Sequence, residues 1–431
     1  MSGELELPRH PVVLGAGVSG RSAAAALMVT GVEVVLVDDR HDHVEGAPCE
    51  VTAVDAPGLL ADCDVLIKSP GVLPSHPLVA EARGRGIPVW SEVELGYRLL
   101  PPGARMIGVT GTNGKTTTTE LVGAMLYEAA LPYVVCGNIG VPLCDVAPHL
   151  PEGAIVVCEL SSHQLEDIVS LRCDAAGIIN ITPDHLDWHG TLEAYERSKL
   201  RIFERQNRDD VAVVNADDPR SAALSRVPGD GVVVRVHGSA AAAAGFDGGR
   251  LRGDHNRQNV AVAAALARTV GVSEAAIIRA VEGFAPVEHR LEDCGTVDGV
   301  RYWNDSKATN VDAAVKALTA FPDERLRIIL GGSEKGADFE PLAAALQGQI
   351  IRAYVTGPAG LRMLPVLRAA GIDAVHCDGF DAAVRCAARE AAVGEHVLLA
   401  PACASFDEFS DYSARGRRFR ALVAHAQTAP G

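Results

Sequence analysis

Short apolar runs, each closed by a glycine-containing or acidic turn and followed by a longer mixed stretch, recur along the whole chain. Runs this short fit strands buried in a parallel sheet, and the stretches between them fit crossover helices. The first unit joins Val12–Leu14 to the turn Gly15-Ala16-Gly17-Val18-Ser19-Gly20, an alanine-rich helix over Arg21–Val29, and a strand over Val32–Val37 that ends in Asp38-Asp39-Arg40. Val65–Ile67 then leads into Lys68-Ser69-Pro70-Gly71, Pro88–Trp90 ends another unit, and Pro101-Pro102-Gly103 reads as a linker. Beyond it, strands are predicted at Met106–Val109, Tyr133–Cys136, Ile155–Cys158, Ala175–Ile181 and Val211–Val214. Helices are predicted there at Thr116–Ala130, Leu192–Gln206 and His255–Val270, with a loop or hairpin over Ser239–Gly253.

From near Pro286 the alternation resumes, with strands at Val300–Trp303, Arg327–Leu330, Ile351–Val355 and Val397–Ala400. Helices are expected at about Val311–Ala320, near Leu342, from Leu361 and around Arg415–Ala426. The pattern predicts an α/β protein of three domains: Rossmann-like over 1–101, a phosphate-loop domain over 102–285, and a Rossmann-like domain over 286–431. The last is expected to be a parallel sheet with helices on both faces.

Composition narrows the function. The chain has 431 residues, 48% hydrophobic and 22% charged, the profile of a globular protein with several cores. A formal charge of −16 argues against non-specific nucleic-acid binding, and it means that any anionic ligand must be met by locally gathered cations. No apolar run approaches the roughly 18 residues of a membrane span. The N-terminus lacks the basic start and apolar middle of a signal peptide. Ten cysteines without a Cys-x-x-Cys pair read as reduced thiols of a cytoplasmic enzyme.

The stretch Met106–Thr117 is the strongest chemical signal. A strand, the turn Gly111-Thr112-Asn113-Gly114, then Lys115-Thr116-Thr117 opening a helix, can present backbone N–H groups and a lysine to a phosphate chain, with the Thr116 hydroxyl placed for Mg2+. The strict phosphate-loop spacing is not met, because Gly108 falls one residue early and Val109 takes its place. Glu159 ends the run Ile155–Cys158, the usual station of a metal-ligating acid. Asn180–His189 is dense in potential ligands; His185 is a candidate for metal or phosphate, while His189 reads as a surface residue. Lys199, with Glu196 three residues back, reads from its neighbours as one half of a surface ion pair. Arg290, Asp305, Lys307, Thr309, Lys335, Ser405 and Arg415 add charged and polar groups, mostly in turns after strands, able to clamp phosphate or carboxylate. The first glycine-rich turn, with Asp38 after the next strand, also fits a nicotinamide dinucleotide.

Taken together, Gly108–Thr118, Glu159-Leu160-Ser161-Ser162, Asn180–Asp187, His255–Asn259, His289-Arg290, Asn304–Asn310 and Pro401–Phe409 resemble the Mur ligase family of peptidoglycan synthesis, in order and over essentially the whole chain. Asp305–Asn310 with Pro401–Asp407 is most similar to the D-glutamate-adding branch. The resemblance implies a monomeric cytoplasmic bacterial enzyme. It would join D-glutamate to UDP-N-acetylmuramoyl-L-alanine with ATP and Mg2+, through an acyl phosphate. It implies that Val18, Ser19, Asp38, Asp39, Arg40, Gly71, Asn138 and His185 bind the uridine diphosphate substrate. For ATP it implies Gly111–Thr117, Asn256, Asn259, Arg290, Asp305 and Lys307; for metal, Thr116, Glu159, His185 and Lys199, the last as a carbamate formed with CO2. For glutamate it implies Thr309, Lys335, Ser405 and Tyr412, and for catalysis Lys115, His185 and Lys199. Three positions depart from the family pattern: His163 and Tyr412 for phenylalanine, and Asp39 for threonine. A sister amino-acid-adding ligase, an L-glutamate-using variant, a nicotinamide dehydrogenase and a non-catalytic nucleotide-binding regulator are the alternatives.

Overall fold

The protein is described by a computed structural model covering residues 6–40, 44–239, 253–284, 288–333 and 336–428. Most of the predicted Ser239–Gly253 loop, and Lys335, lie outside the described residues. Two compact units separate: Met1–Phe246 with Gln258–Gly283, and Asp247–Arg257 with Phe284–Gly431. Among the described residues no helix is long and apolar enough to cross a membrane.

The first unit holds two all-parallel sheets. β1 (Pro11–Leu14), β2 (Val35–Asp38), β3 (Val51–Ala53), β4 (Val65–Lys68) and β5 (Val89–Ser91) lie in the order β3-β2-β1-β4-β5. Alternation along these strands feeds two cores, Val13, Leu36 and Ile67 on one face and Val12, Val37 and Leu66 on the other. The order reverses at β1/β4, so the turns after those two strands share one crevice.

β6 (Arg105–Thr110), β7 (Tyr133–Gly137), β8 (Ile155–Glu159), β9 (Ala175–Ile178), β10 (Val211–Asn215) and β11 (Val232–Val236) form the second sheet in the order β11-β10-β9-β6-β8-β7. The two sheets are joined by buried charge. Glu94, in the helix Glu92–Arg98, accepts the backbone N–H groups of Val169, Ser170 and Leu171 on Oε2 at 2.8, 2.9 and 2.9 Å, and Arg98 Nε on Oε1 at 2.8 Å. Lys68 pairs with Asp167 at 3.2 Å, and both are buried. Three otherwise orphaned donors and a fully buried carboxylate thus satisfy one another.

The second unit holds β12 (Glu292–Val297), β13 (Val300–Asn304), β14 (Leu326–Gly331), β15 (Ile350–Thr356), β16 (Ala374–His376) and β17 (His396–Ala402), in the order β12-β13-β17-β14-β15-β16. Its sheet is mixed: β12 pairs antiparallel to β13, where a wholly parallel sheet was expected. Asp298-Gly299, both at positive φ, turn the chain back on itself too tightly for a crossover helix. Helices cover both faces as expected, with Ile328 and Leu330 in one core and Ile329 in the other. Some boundaries differ. The strand expected at Ala175–Ile181 stops at Ile178, the helix from Leu192 gives way to a 3-10 turn at Arg201, and the last helix begins at Tyr412.

Candidate active site

In the first unit the turn 111–114 follows β6 and opens the helix Lys115–Glu128. Gly114 sits at φ +86°, and a Cβ there would lie 2.3 Å from Asn259 Oδ1, so both backbone conformation and space demand glycine. The turn is cross-braced by the segment that follows β9. Asn180 Oδ1 accepts from Asn113 N at 2.8 Å and Asn180 O from Thr112 N at 2.9 Å, while Thr112 Oγ1 donates to Thr182 O at 3.1 Å. Lys115 Nζ folds back onto the carbonyls of Gly111 and Thr112 at 3.0 and 2.8 Å. Gly108, the glycine one residue early, answers to packing: a Cβ there would lie 2.6 Å from Cys173 Sγ. Thr116 and Thr117, in the first helical turn, are buried.

Beside this turn lie two buried groups of opposite character. Glu159, 1% exposed at the end of β8, accepts Asn138 Nδ2 on Oε1 at 2.8 Å, while its buried Oε2 has no hydrogen-bond donor among the described residues. Lys199, also 1% exposed, donates to Gly111 O at 2.7 Å and stands 4.5 Å from the centre of the Tyr195 ring. Burial, then the Lys115 ammonium, hold its pKa well below the usual lysine range, against the pull of Asp184 and Glu159. The surface pair with Glu196 does not form, because Glu196 is taken by Arg220 and Lys199 turns inward.

His185 adopts left-handed φ, +52°, and its backbone N–H donates to Asp184 Oδ1 at 2.9 Å. Its ring meets His163 edge-on at 4.7 Å; His163 in turn touches Trp188 at 4.3 Å and stacks on His189 at 5.6 Å. Burial, reinforced by His185 and His189, lowers the His163 pKa to about 3, so this imidazole is neutral. His189 is half-buried against Ser162 Oγ at 3.0 Å, rather than the surface residue its sequence position suggests. Among the described residues no three His, Cys, Asp or Glu side chains converge as a closed metal site. The donors fit a cation that keeps water and phosphate oxygens in its shell, as Mg2+ does: the unpaired Glu159 Oε2 and the Thr116 hydroxyl.

Of the residues expected to bind the uridine diphosphate substrate, Val18, Ser19, Asp38, Asp39, Arg40 and Gly71 lie at or after the carboxyl ends of β1, β2 and β4, whereas Asn138 and His185 follow β7 and β9 in the second sheet. Val18 is 64% exposed, Ser19 is half-buried, and Asp39, Arg40 and Gly71 are exposed. Asp38 accepts Ala16 N at 2.7 Å and Arg40 N at 2.8 Å, tying the glycine-rich turn to the end of β2.

In the second unit, Asp305, Lys307 and Thr309 follow β13 and Ser405 follows β17, the neighbouring strand. Asp305 is buried; burial raises its pKa to about 6 against the opposing pull of Arg290 and Lys307. Lys307 N donates to His289 O at 3.1 Å, so the residue before Arg290 is fixed to this turn. Among the described residues, Arg290 Nε is buried without an acceptor. Lys307 Nζ stands 5.2 Å from the centre of the Tyr412 ring, and Ser405 is buried. Asn256, in the same unit, is buried, as is Asn259 in the first unit.

Comparison with known proteins decides the family. A MurD-like N-terminal domain of Mur ligases matches residues 9–91, the Mur ligase middle domain 109–265, and the Mur ligase glutamate ligase domain 289–403. A curated UDP-N-acetylmuramoylalanine–D-glutamate ligase of Desulfitobacterium hafniense is 39% identical over 96% of both chains. Another of that name, from Sphingopyxis alaskensis, is 41% identical over 96% of this chain and 97% of its own. The chain belongs to the Mur ligase family. A solved Mur ligase, UDP-N-acetylmuramate–alanine ligase of Thermotoga maritima, shares the fold at a TM-score of 0.60 and 19% identity, over 97% of this chain and 100% of its own.

For a Mur ligase the structure also shows residues that sequence reading left without a role. Asp184 faces Lys199 and His185, signalled only by its adjacency to His185. Asn180 and Thr182 brace the turn 111–114; they fall in the Asn180–Asp187 motif, but the motif assigned them no such part. Of the six non-glycine residues at positive φ among the described residues, His185, His289, Leu291 and Ala402 fall in or beside the family motifs.

Proposed function

We propose that this chain joins D-glutamate to UDP-N-acetylmuramoyl-L-alanine at the expense of ATP, by way of an acyl phosphate. The shared name of its full-length relatives supports the substrates. One structural observation carries the chemistry: a buried, unpaired carboxylate oxygen, Glu159 Oε2, at the strand end beside a phosphate-binding turn. Such an atom is costly unless a cation meets it.

In this reading the N–H groups of 111–117 and Lys115 hold the triphosphate, with Asn256, Asn259, Arg290, Asp305 and Lys307 as further nucleotide contacts. Mg2+, held by Thr116 and Glu159 and by His185 with Lys199, would neutralise phosphate charge. Val18, Ser19, Asp38, Asp39, Arg40 and Gly71 bind the uridine diphosphate end, while Asn138 and His185 direct the alanine carboxylate. That carboxylate oxygen attacks the γ-phosphorus and ADP leaves; the amine of glutamate then adds to the acyl carbon, and phosphate departs to leave the amide. Thr309, Lys335, Ser405 and Tyr412 hold the glutamate. Lys199 supports a carbamate on chemical grounds. Its lowered pKa leaves neutral amine, which adds CO2 and releases a proton, and the product is an anion suited to a cation where an ammonium would repel one. The division of the chain at about 101 and 285 accompanies this reading.

The test offers D- and L-glutamate in parallel, with the alanine carboxylate labelled by oxygen-18. The expected result is a D-glutamate adduct by mass, with one labelled oxygen in the released phosphate. An unlabelled phosphate would overturn the acyl-phosphate route, and an L-glutamate adduct alone would overturn the substrate. For the carbamate, intact mass before and after rigorous CO2 removal should differ by one CO2; an unchanged mass sinks that part.

A further inference from the structure

We propose that Arg415 is a positioning residue behind the amino-acid pocket, and that its buried charge makes the pocket select a dicarboxylate over the corresponding amide. This rests on the assignment of Thr309, Ser405 and Tyr412 to glutamate.

Arg415 is 2% exposed in the helix Tyr412–Thr428. Its guanidinium donates to four neutral oxygens: Ser306 Oγ at 3.0 Å, Ser306 O at 2.9 Å, Cys403 O at 3.0 Å and Ala404 O at 3.2 Å. These acceptors lie in the two turns that carry Thr309 and Ser405. Ser306 Oγ in turn donates to Tyr412 O at 2.8 Å, and Ser333 N donates to Ala404 O at 2.9 Å, which brings a third turn into the set. One side chain thereby fixes the relative positions of the pocket's walls.

What sets Arg415 apart is that, among the described residues, no carboxylate is hydrogen-bonded to it. Among the described residues it makes no ion pair, and Asp407 acts on it only through space. Burial lowers its pKa to about 10, so it remains charged at neutral pH. A cation hydrogen-bonded only to carbonyls and a hydroxyl has its N–H groups satisfied, but its field in a low-dielectric interior is offset only in part, by Asp407 through space. A purely structural staple could be built from neutral donors at lower desolvation cost. A cation is warranted where an anion arrives, and a second carboxylate in place of an amide is the ligand difference that such a field reads.

The experiment measures kcat and KM for D-glutamate, KM for ATP, the ratio of kcat/KM for D-glutamate over D-glutamine, and thermal midpoint in the full chain and in R415K and R415M. R415K keeps the charge and loses the fork; R415M keeps bulk alone. The expected result is a glutamate KM raised about 10-fold in R415K and about 100-fold in R415M, with ATP KM changed less than about twofold. The glutamate-over-glutamine ratio should hold in R415K and collapse about 10-fold in R415M. If both variants lose glutamate and ATP affinity together, in step with a lower thermal midpoint, Arg415 is a staple and the inference is overturned. If R415M does not fold, an R415K whose glutamate preference falls despite its retained charge overturns it equally. A wild-type chain forming no glutamate adduct removes the parent reading instead, and this inference with it.

Discussion

The two units leave opposite chemistry unsatisfied. Beside the candidate site of the first, and among the described residues, the acceptor Glu159 Oε2 is left unpaired; beside that of the second, the donor Arg290 Nε is, while the guanidinium of Arg415 is hydrogen-bonded to neutral oxygens alone. An unpaired buried group costs about 1–3 kcal/mol, so one left beside a candidate site points to a ligand that completes it. In the proposed reading a cation completes the first of these groups and an anion the second. In that reading a metal nucleotide and an acidic amino acid supply the two, and local cations offset the net charge of −16 where the polyanions sit.

The comparison breaks most visibly at Glu159. Glu159→Gln keeps the shape and removes the anionic oxygen, so kcat should fall on the order of 10³-fold while thermal stability holds or rises. Turnover within threefold of wild type would show that the acceptor is not a cation ligand. On the donor side, Arg290→Met should lower kcat/KM for ATP by about 100-fold and leave binding of the uridine diphosphate substrate unchanged, as read by calorimetry. Equal loss of both ligands would end the contrast between units.

The smallest effect concerns pH. Asp305 has its pKa raised from 3.8 to about 6, so the folded state holds a proton that the unfolded chain has already released. Its contribution to stability is therefore full below about pH 4, is lost as pH rises toward about 6, and is constant above. Denaturant midpoints of wild type and Asp305→Asn should diverge between those values and run parallel beyond them. Parallel curves throughout would mean that Arg290 and Lys307 outweigh burial at this carboxyl.

Much of the site could be read from the chain because it sits at strand ends, where local pattern and chemistry coincide. Lys115, Glu159 and Asp305 each follow an apolar run that the structure makes a strand. Lys199 could not be read this way. A lysine three residues after a glutamate describes a helix surface equally well, and only the path of the helix toward Gly111 decides its burial. Arg415 was visible as a charge, but its partners come from turns more than a hundred residues apart in sequence as well as from nearby. The antiparallel β12 was missed because its residues, Glu292-Asp293-Cys294-Gly295-Thr296-Val297, lack an apolar run, with Val297 alone fully in the core and the rest placed mainly by pairing with β13. Glu94 gave no signal either, since its three amide donors lie 75 to 77 residues downstream.

That last carboxylate bears on how the chain can be divided. Severing it at Pro101-Pro102-Gly103, the point that looks most like a hinge, would strip an acceptor from the amides of 169–171 and strand an anion on the other fragment. Neither fragment should be a good recombinant module. The first two sheets are best exchanged, truncated or transplanted as a single cassette.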